Sequence, residues 1–275
     1  MNSFRRPSGI VSLGIVGFGA FGRLMADRLR PHAAIFATDG RAVEGGGVEG
    51  VTMTDLTTVC ACDIVILAVP VGDMLAACRS MAPLLRPGAL VMDIGSVKVE
   101  PAAILLSELP DHVEIAATHP LFGPQSIAGG TAGLKMVICP LRGRMIWRGA
   151  AFLRKAFGLS ILFTTPEEHD REAALTQGLT HLLARIMLRM GPLPERVTTR
   201  SFDLVRQAVD MVRHDAAGVG RAIEHRNPFA ADARHAFFRE ADAVRQELAE
   251  VEGYRSARPP ETGTGRAVRS GICFD

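Results

Sequence analysis

A chain of 275 residues with 48% apolar and 22% charged residues can bury enough surface for one large domain or two ordinary ones, and its composition argues against disorder of the whole. A formal charge of +2 gives no electrostatic reason to expect nucleic acid or an anionic membrane as partner, although a small acidic ligand needs only one or two local arginines. The five cysteines, Cys60, Cys62, Cys78, Cys139 and Cys273, are irregularly spaced, so neither a disulfide framework nor a metal site is expected, and a reducing cytoplasm is the simpler setting.

In chain order, VSLGIV at 11–16 ends in GFGAFG and passes into RLMADRLRP with apolar residues at helical intervals, which reads as strand, turn and helix. The basic, apolar start resembles a secretory signal, but glycines stud the apolar part and no small-residue cleavage site follows, so that reading is rejected. AAIFATD at 33–39 is a second strand closing on Asp39, and DIVILAVP at 63–70 is nearly continuous in Ile, Val and Leu, as a strand buried on both faces of a parallel sheet is. DMLAACRSMAPLL then reads as helix, ALVMDIG at 89–95 as strand, VEPAAILLSELP as helix, and VEIAAT at 113–118 and LKMVICP at 134–140 as strands. This alternation predicts an α/β fold, a Rossmann-type doubly wound parallel sheet, over residues 1–165.

From residue 166 the texture changes. PEEHDREAALTQGLTHLLARIMLRM reads as one long helix, with Pro166 suited to its first turn and Glu167 and Glu168 complementing the positive end of its dipole. Two or three helices follow, within TRSFDLVRQAVDMV, DAAGVGRAIEHR and PFAADARHAFFREADAVRQELAEVE. Their faces are too apolar to stand alone, so residues 166–255 are expected to form a helical domain packed on the first domain, on a second copy, or both. Residues 256–275, rich in Pro, Gly, Arg and Thr, are expected to be a disordered tail. No run of about 18 apolar residues is present, so no membrane helix is expected.

Gly17, Gly19 and Gly22 fit G-x-G-x-x-G directly after a strand and at the mouth of a helix: a tight turn, close approach to a pyrophosphate, and close helix packing. Ala20 and Phe21 complete the loop, and Val69 and Pro70 end the strand DIVILAVP, making these the cofactor-binding candidates. Asp39 stands where a carboxylate accepts the hydroxyls of an adenosine ribose and repels a 2′-phosphate, which favours NAD; NADP stays open because Arg41 nearby can receive a phosphate. Ser96, in DIGSVK at 93–98, is placed either to meet a substrate oxygen or to cap the helix that follows. His119 follows the strand VEIAAT at the carboxyl edge of the sheet and is suited to take a proton as hydride leaves carbon. His169 and His181 lie on the long helix, too far apart for one metal ion; His169 reads as a solvated or capping residue, and His181, among Leu179, Leu182 and Leu183, as either a crevice residue or a buried structural one.

GFGAFG, DIGSVK, THPLFGPQS and EEHDREAALTQGLTHLLARIM, in this order and spacing, resemble the TyrA family of prephenate and arogenate dehydrogenases over about residues 11–250. The resemblance implies a Rossmann domain joined to a helical dimerisation domain, a homodimer, and NAD(P)-dependent oxidative decarboxylation of a cyclohexadienol in tyrosine biosynthesis. It implies that His119 deprotonates the ring 4-hydroxyl while hydride passes from C4 to nicotinamide, that Ser96 bonds near the same hydroxyl, and that Lys98 lies beside it. It places His181, Gln177 and Arg226 in the substrate pocket, Arg226 on a substrate carboxylate. The chain departs from many bacterial members, which carry Ser-His-Leu-Pro-His where Gln177, Gly178, Leu179, Thr180 and His181 stand, and this form is closer to the plant arogenate enzymes. Two other readings are open: a β-hydroxyacid dehydrogenase or imine reductase type, which predicts a catalytic lysine although residues 166–255 contain none, and a non-catalytic NAD-sensing protein.

Overall fold

The computed structural model describes residues 11–40, 47–127, 130–213, 215 and 217–256. Among these residues, eight strands form one sheet: β1 (Ser12–Val16), β2 (Ala34–Thr38), β3 (Val51–Met53), β4 (Ile64–Leu67), β5 (Leu90–Asp93), β6 (Glu114–Pro120), β7 (Lys135–Arg142) and β8 (Ser160–Phe163). Their order is β3-β2-β1-β4-β5-β6-β7-β8, so the chain reverses direction across the sheet between β1 and β4. All pairings are parallel except β6 with β7. A parallel return is usually made through a helix, whereas among the described residues between β6 and β7 the helical part is the short turn Pro124–Ile127.

Helices cover both faces of the sheet, and the period-2 alternation of strand side chains divides the core in two. Leu13, Ile15, Ile66, Leu90, Met92 and Ile138 point to one side, with Ala26 and Leu29 of α1 (Ala20–Leu29) and Ile146 and Ala150 of α5 (Met145–Phe157). Val16, Val65, Leu67, Val91 and Ile115 point to the other, with residues of α2 (Leu56–Cys60), α3 (Met74–Met81) and α4 (Val99–Glu108). Each such Ile, Leu or Val contributes about 1.5–3 kcal/mol by leaving water. The apolar stretch that resembled a signal is accounted for by β1, an interior strand of this sheet. Cys60, Cys62, Cys78 and Cys139 are buried thiols with no disulfide among the described residues, and burial pushes Cys60, Cys78 and Cys139 up to about 12, which makes them inert core residues.

After β8 the chain is helical: α6 (Pro166–Ala173), α7 (Leu179–Arg189), α8 (Arg200–Arg213), α9 (Ala217–His225) and α10 (Ala230–Ser256). Thr165 and Glu168 form a capping box at the start of α6, each side chain bonding the other's backbone N–H. The long helix expected from residue 166 is continuous, but one turn of π-helix, Ala174–Gly178, joins α6 to α7. Gly178 weakens this turn, and Thr176 and Thr180 direct their hydroxyls at the carbonyls of Glu172 and Thr176, competing with the ordinary ladder.

The chain divides into two compact units, Met1–Arg234 and His235–Asp275. The sheet and α6 to α9 belong to the first, so the change of texture at residue 166 is a change of secondary structure inside one unit. In the first unit Leu183, Leu188, Leu204 and Met211 expose large apolar side chains; in the second, the α10 residues Phe238, Val244 and Leu248 do. Residues 257–275 and Arg41 lie outside the described residues. No described helix is long and apolar enough to cross a membrane.

Candidate active site

The glycine loop joins β1 to α1 at the point where the strand order reverses, the place where doubly wound sheets hold their ligands. Gly17 has φ +98°, and a Cβ there would stand 2.7 Å from the Ala68 carbonyl oxygen, so only glycine turns the chain here. A Cβ on Gly22 would stand 2.2 Å from the Gly17 oxygen, which locks helix against loop. Gly19 differs: a Cβ would meet nothing within 4 Å, so its backbone borders open space. Gly19 is the N-cap of α1 and supplies no side-chain cap, and no acidic side chain occupies the first turn. The helix therefore presents backbone N–H groups and a positive dipole end to that space, the chemistry that holds a pyrophosphate.

Ala20 is exposed and Phe21 half-buried beside this opening, Val69 lies against Gly17, and Pro70 is exposed next in the chain. Asp39, at the end of β2, accepts the N–H of Phe18 at 2.6 Å through Oδ2, while Thr38 accepts that of Gly17 at 2.9 Å. The carboxylate read as a ribose ligand thus also shapes the loop. The residues present fit a dinucleotide.

Two positions along the sheet, the ends of β5 and β6 are tied by Asp93. Its carboxylate accepts N–H groups from Gly95 (2.8 Å) and Thr118 (3.1 Å) and the ammonium of Lys98 (2.5 Å), and the Thr118 hydroxyl donates to the Asp93 carbonyl. Lys98 also donates to the Thr118 carbonyl at 2.6 Å and is 0% exposed. This corrects the placing of Lys98 beside the substrate: its ammonium is enclosed, and it acts by holding the residue before His119. Ser96 is half-buried and does not cap α4, whose N-cap is Lys98; its hydroxyl has no side-chain hydrogen bond among the described residues. The capping alternative falls.

His119 lies inside β6 rather than after it, paired with Val137 of β7 and 4% exposed. Its Nδ1 is 2.9 Å from His169 Nε2, and His169 Nδ1 is 2.8 Å from Asp170 Oδ1. Asp170 in turn accepts the N–H groups of Lys98 (2.7 Å) and Val99 (2.9 Å), so a carboxylate on α6 caps α4. Burial, then His169 and Lys98 nearby, hold His119 well below the ordinary histidine range, so it is neutral and able to accept a proton. His169 is therefore neither solvated nor a cap, as the sequence suggested; it is 5% exposed and backs His119. His169 and Asp170 share the inward stripe of α6 with Ala173. Two polar residues on a core stripe must find partners, and that was the available signal.

The helical residues approach the same edge. Val71 after β4, Val97 after β5 and Ala222 of α9 form one cluster, and a Cβ on Gly218 would stand 3.9 Å from Pro70. Arg226 pairs with Glu100 in the first turn of α4, its guanidinium beside Gly72. Asn227, unread from sequence, is 5% exposed and donates to the Asp170 carbonyl at 2.7 Å while accepting from Phe229 N–H at 2.9 Å. His181 is buried, 3.5 Å from Asp215, and burial lowers its proton affinity while raising that of Asp215. No hydrogen bond or ring contact joins His181 to His119 among the described residues. Gln177 sits in the π turn, and its buried Oε1 has no hydrogen-bond partner among the described residues. The loop after His119 closes back on α1, Phe122 meeting Phe21 with ring centroids 6.3 Å apart.

Residues 38–141 match the family model described as the nucleotide-binding domain of prephenate dehydrogenase, a span that holds Asp39, Ser96, Lys98 and His119. Arogenate dehydrogenase 2, chloroplastic, of Arabidopsis thaliana is 25% identical over 260 residues, 90% of this chain and 73% of that protein. The probable arogenate/prephenate dehydrogenase of Methanocaldococcus jannaschii is 29% identical over 180 residues, 61% of this chain and 39% of that protein. In fold, prephenate dehydrogenase from A. aeolicus in complex with hydroxyphenyl propionate and NAD+ matches with a TM-score of 0.67 and 20% identity over 91% of this chain and 96% of that one. Synechocystis arogenate dehydrogenase matches with a TM-score of 0.61 and 18% identity over 88% and 93%. The family match falls on the strand ends that gather Asp39, Ser96 and His119, and over these residues the chain is similar to the prephenate and arogenate dehydrogenases.

Proposed function

We propose that the protein is a nicotinamide-dependent dehydrogenase of tyrosine biosynthesis that oxidatively decarboxylates prephenate to 4-hydroxyphenylpyruvate, arogenate to tyrosine, or both. The observation that carries this reading is His119, a neutral buried histidine at the carboxyl edge of β6, with the glycine loop opening on the same edge. Gly17, Gly19, Gly22 and the first turn of α1, with Ala20 and Phe21, would hold the pyrophosphate, Asp39 the ribose hydroxyls, and Val69 and Pro70 would border the nicotinamide end. Asp39 favours NAD over NADP. The nicotinamide, when bound, accepts hydride from C4 of the ring.

His119 takes the proton of the 4-hydroxyl as that hydride leaves, and Ser96 hydrogen-bonds the same oxygen. Loss of carbon dioxide from C1 completes an aromatic ring, so the chain's task is to orient one carbon and manage one proton. Arg226 is the ligand for a substrate carboxylate, which displaces or joins Glu100 on the guanidinium, and His181 lines the pocket. Gln177 bears on the choice of substrate: a buried acceptor oxygen without a donor suits the side-chain ammonium of arogenate better than the ketone of prephenate.

Residues 1–165 then serve the nucleotide and 166–255 the substrate and a homodimer, to which the exposed apolar side chains of α7, α8 and α10 are suited, in a cytoplasmic protein. The test is NADH or NADPH formation with prephenate and arogenate, each with NAD and NADP. Turnover of arogenate with NAD is expected, and binding of nucleotide with no turnover of either substrate overturns the reading.

A further inference from the structure

We propose that His169 and Asp170 are positioning residues that fix the tautomer of His119, keeping its Nδ1 protonated and its Nε2 unprotonated as the atom that receives the substrate's proton. The inference rests on the reading of His119 as base for its consequence in catalysis, and on geometry alone for the tautomer.

Both oxygens of Asp170 receive backbone N–H groups, from Lys98 on Oδ1 and Val99 on Oδ2, and a backbone amide only donates. The carboxylate is thus an acceptor throughout, and the His169 Nδ1 that faces Oδ1 at 2.8 Å must be the donor. With a single proton on the His169 ring, and that proton on Nδ1, Nε2 has none and accepts. The hydrogen bond of 2.9 Å between the two rings then requires the proton on His119 Nδ1, and the remaining nitrogen of His119 bears the lone pair. The other charged groups around it are Lys98 and Asp93, which satisfy one another at 2.5 Å.

The same carboxylate that orders the two rings also starts α4 directly after the loop that carries Ser96, so base and hydroxyl are set by one residue. In the reaction the 4-hydroxyl proton moves to His119 Nε2, leaving an imidazolium whose charge is passed by two hydrogen bonds towards Asp170, while the C4–H electron pair leaves as hydride to the nicotinamide. Such a third residue orients and stabilises the base without itself becoming protonated.

The experiment reads nitrogen-15 shifts of selectively labelled histidines in the whole protein, His119 assigned by His119→Asn, together with steady-state kinetics. The expected spectrum shows a protonated Nδ1 and a bare Nε2 at His119; the opposite tautomer overturns the proposal. Asp170→Asn keeps an amide oxygen on the side of Oδ1, where two donors converge, but removes the negative charge that anchors His169 Nδ1, and is expected to lower kcat about tenfold or more, with KM changed only a few-fold and no recovery at high pH. A fall of less than threefold in folded protein overturns it. Asp170 also caps α4, so His169→Gln and His169→Leu provide a second comparison. Gln sets an amide oxygen near the place of Nε2 and should retain at least tenfold more kcat than Leu, and equal losses count against the proposal. No turnover by the unaltered protein overturns the functional reading instead, and the nitrogen shifts still decide the tautomer.

Discussion

Burial above all, with His169 and Lys98 close by, lowers the proton affinity of His119 and sets its working range. An ordinary histidine titrates near 6.5; one held well below that is already the base at neutral pH. The kcat/KM profile should therefore be level through pH 6.5 and fall only in more acid solution, and an acid limb centred at or above 6.5 would contradict the assignment. His119→Asn should lower kcat by about 10² to 10⁴ while leaving NAD binding, measured by fluorescence titration, within a few-fold. Asp39 holds the Phe18 N–H and is proposed above to hold the ribose as well. Asp39→Ala should raise the dissociation constant for NAD by about 10- to 100-fold, the loss of one or two charge-assisted hydrogen bonds, and an unchanged value would remove Asp39 from the nucleotide site. At this scale the sequence marked His119, Asp39 and the three glycines, because their chemistry is tied to their place after a strand. It misread Lys98 and His169, because whether a charged or titratable side chain points into protein or water is settled by residues far along the chain.

Among elements, the decisive joint is the one between β5, β6, α4 and α6. Asp93 and Lys98 are both wholly buried, and such a pair stands only because Gly95, Thr118 and the Thr118 carbonyl complete its hydrogen bonds. Removing one partner strands the other charge. Lys98→Met should cost about 3–5 kcal/mol, lower Tm by on the order of 10 °C in calorimetry, and reduce activity through a displaced His119, whereas a loss of activity with an unchanged Tm would return Lys98 to the substrate. The capping box of α6 is a milder matter: Thr165→Ala should cost about 1 kcal/mol in denaturant titration. The strand β4 and the continuity of the segment after Pro166 were legible from period and first-turn residues. The π turn at Ala174–Gly178 was not, since apolar spacing of three and four tolerates one inserted residue without a visible break.

For the molecule as a whole, His119 and His181 both bind a proton less readily in the fold than in the unfolded chain. Below the unfolded value of about 6.5 the unfolded state takes up protons that the folded state refuses, so stability declines as pH falls through 6.5 and below, and His119→Asn should shallow that decline in thermal melts between neutral pH and pH 5. The apolar side chains exposed on α7 and α8, and separately on α10, should be covered in a homodimer, which light scattering would report; replacing Leu204 and Met211 by Glu should yield monomer, and a monomer before any change would refute that surface. By itself the sequence determined the strand and helix alternation, the nucleotide-binding turn and a histidine at the sheet's carboxyl edge. Each of these follows from local sterics and the direction of side chains on their own element. Only the tertiary structure decided that β7 runs antiparallel, that Lys98 is enclosed, and that His169 and Asp170 stand behind His119, some 50 positions earlier in the chain. Those outcomes depend on which faces meet once the loops close, and side-chain periodicity within an element carries no record of the partner it will find.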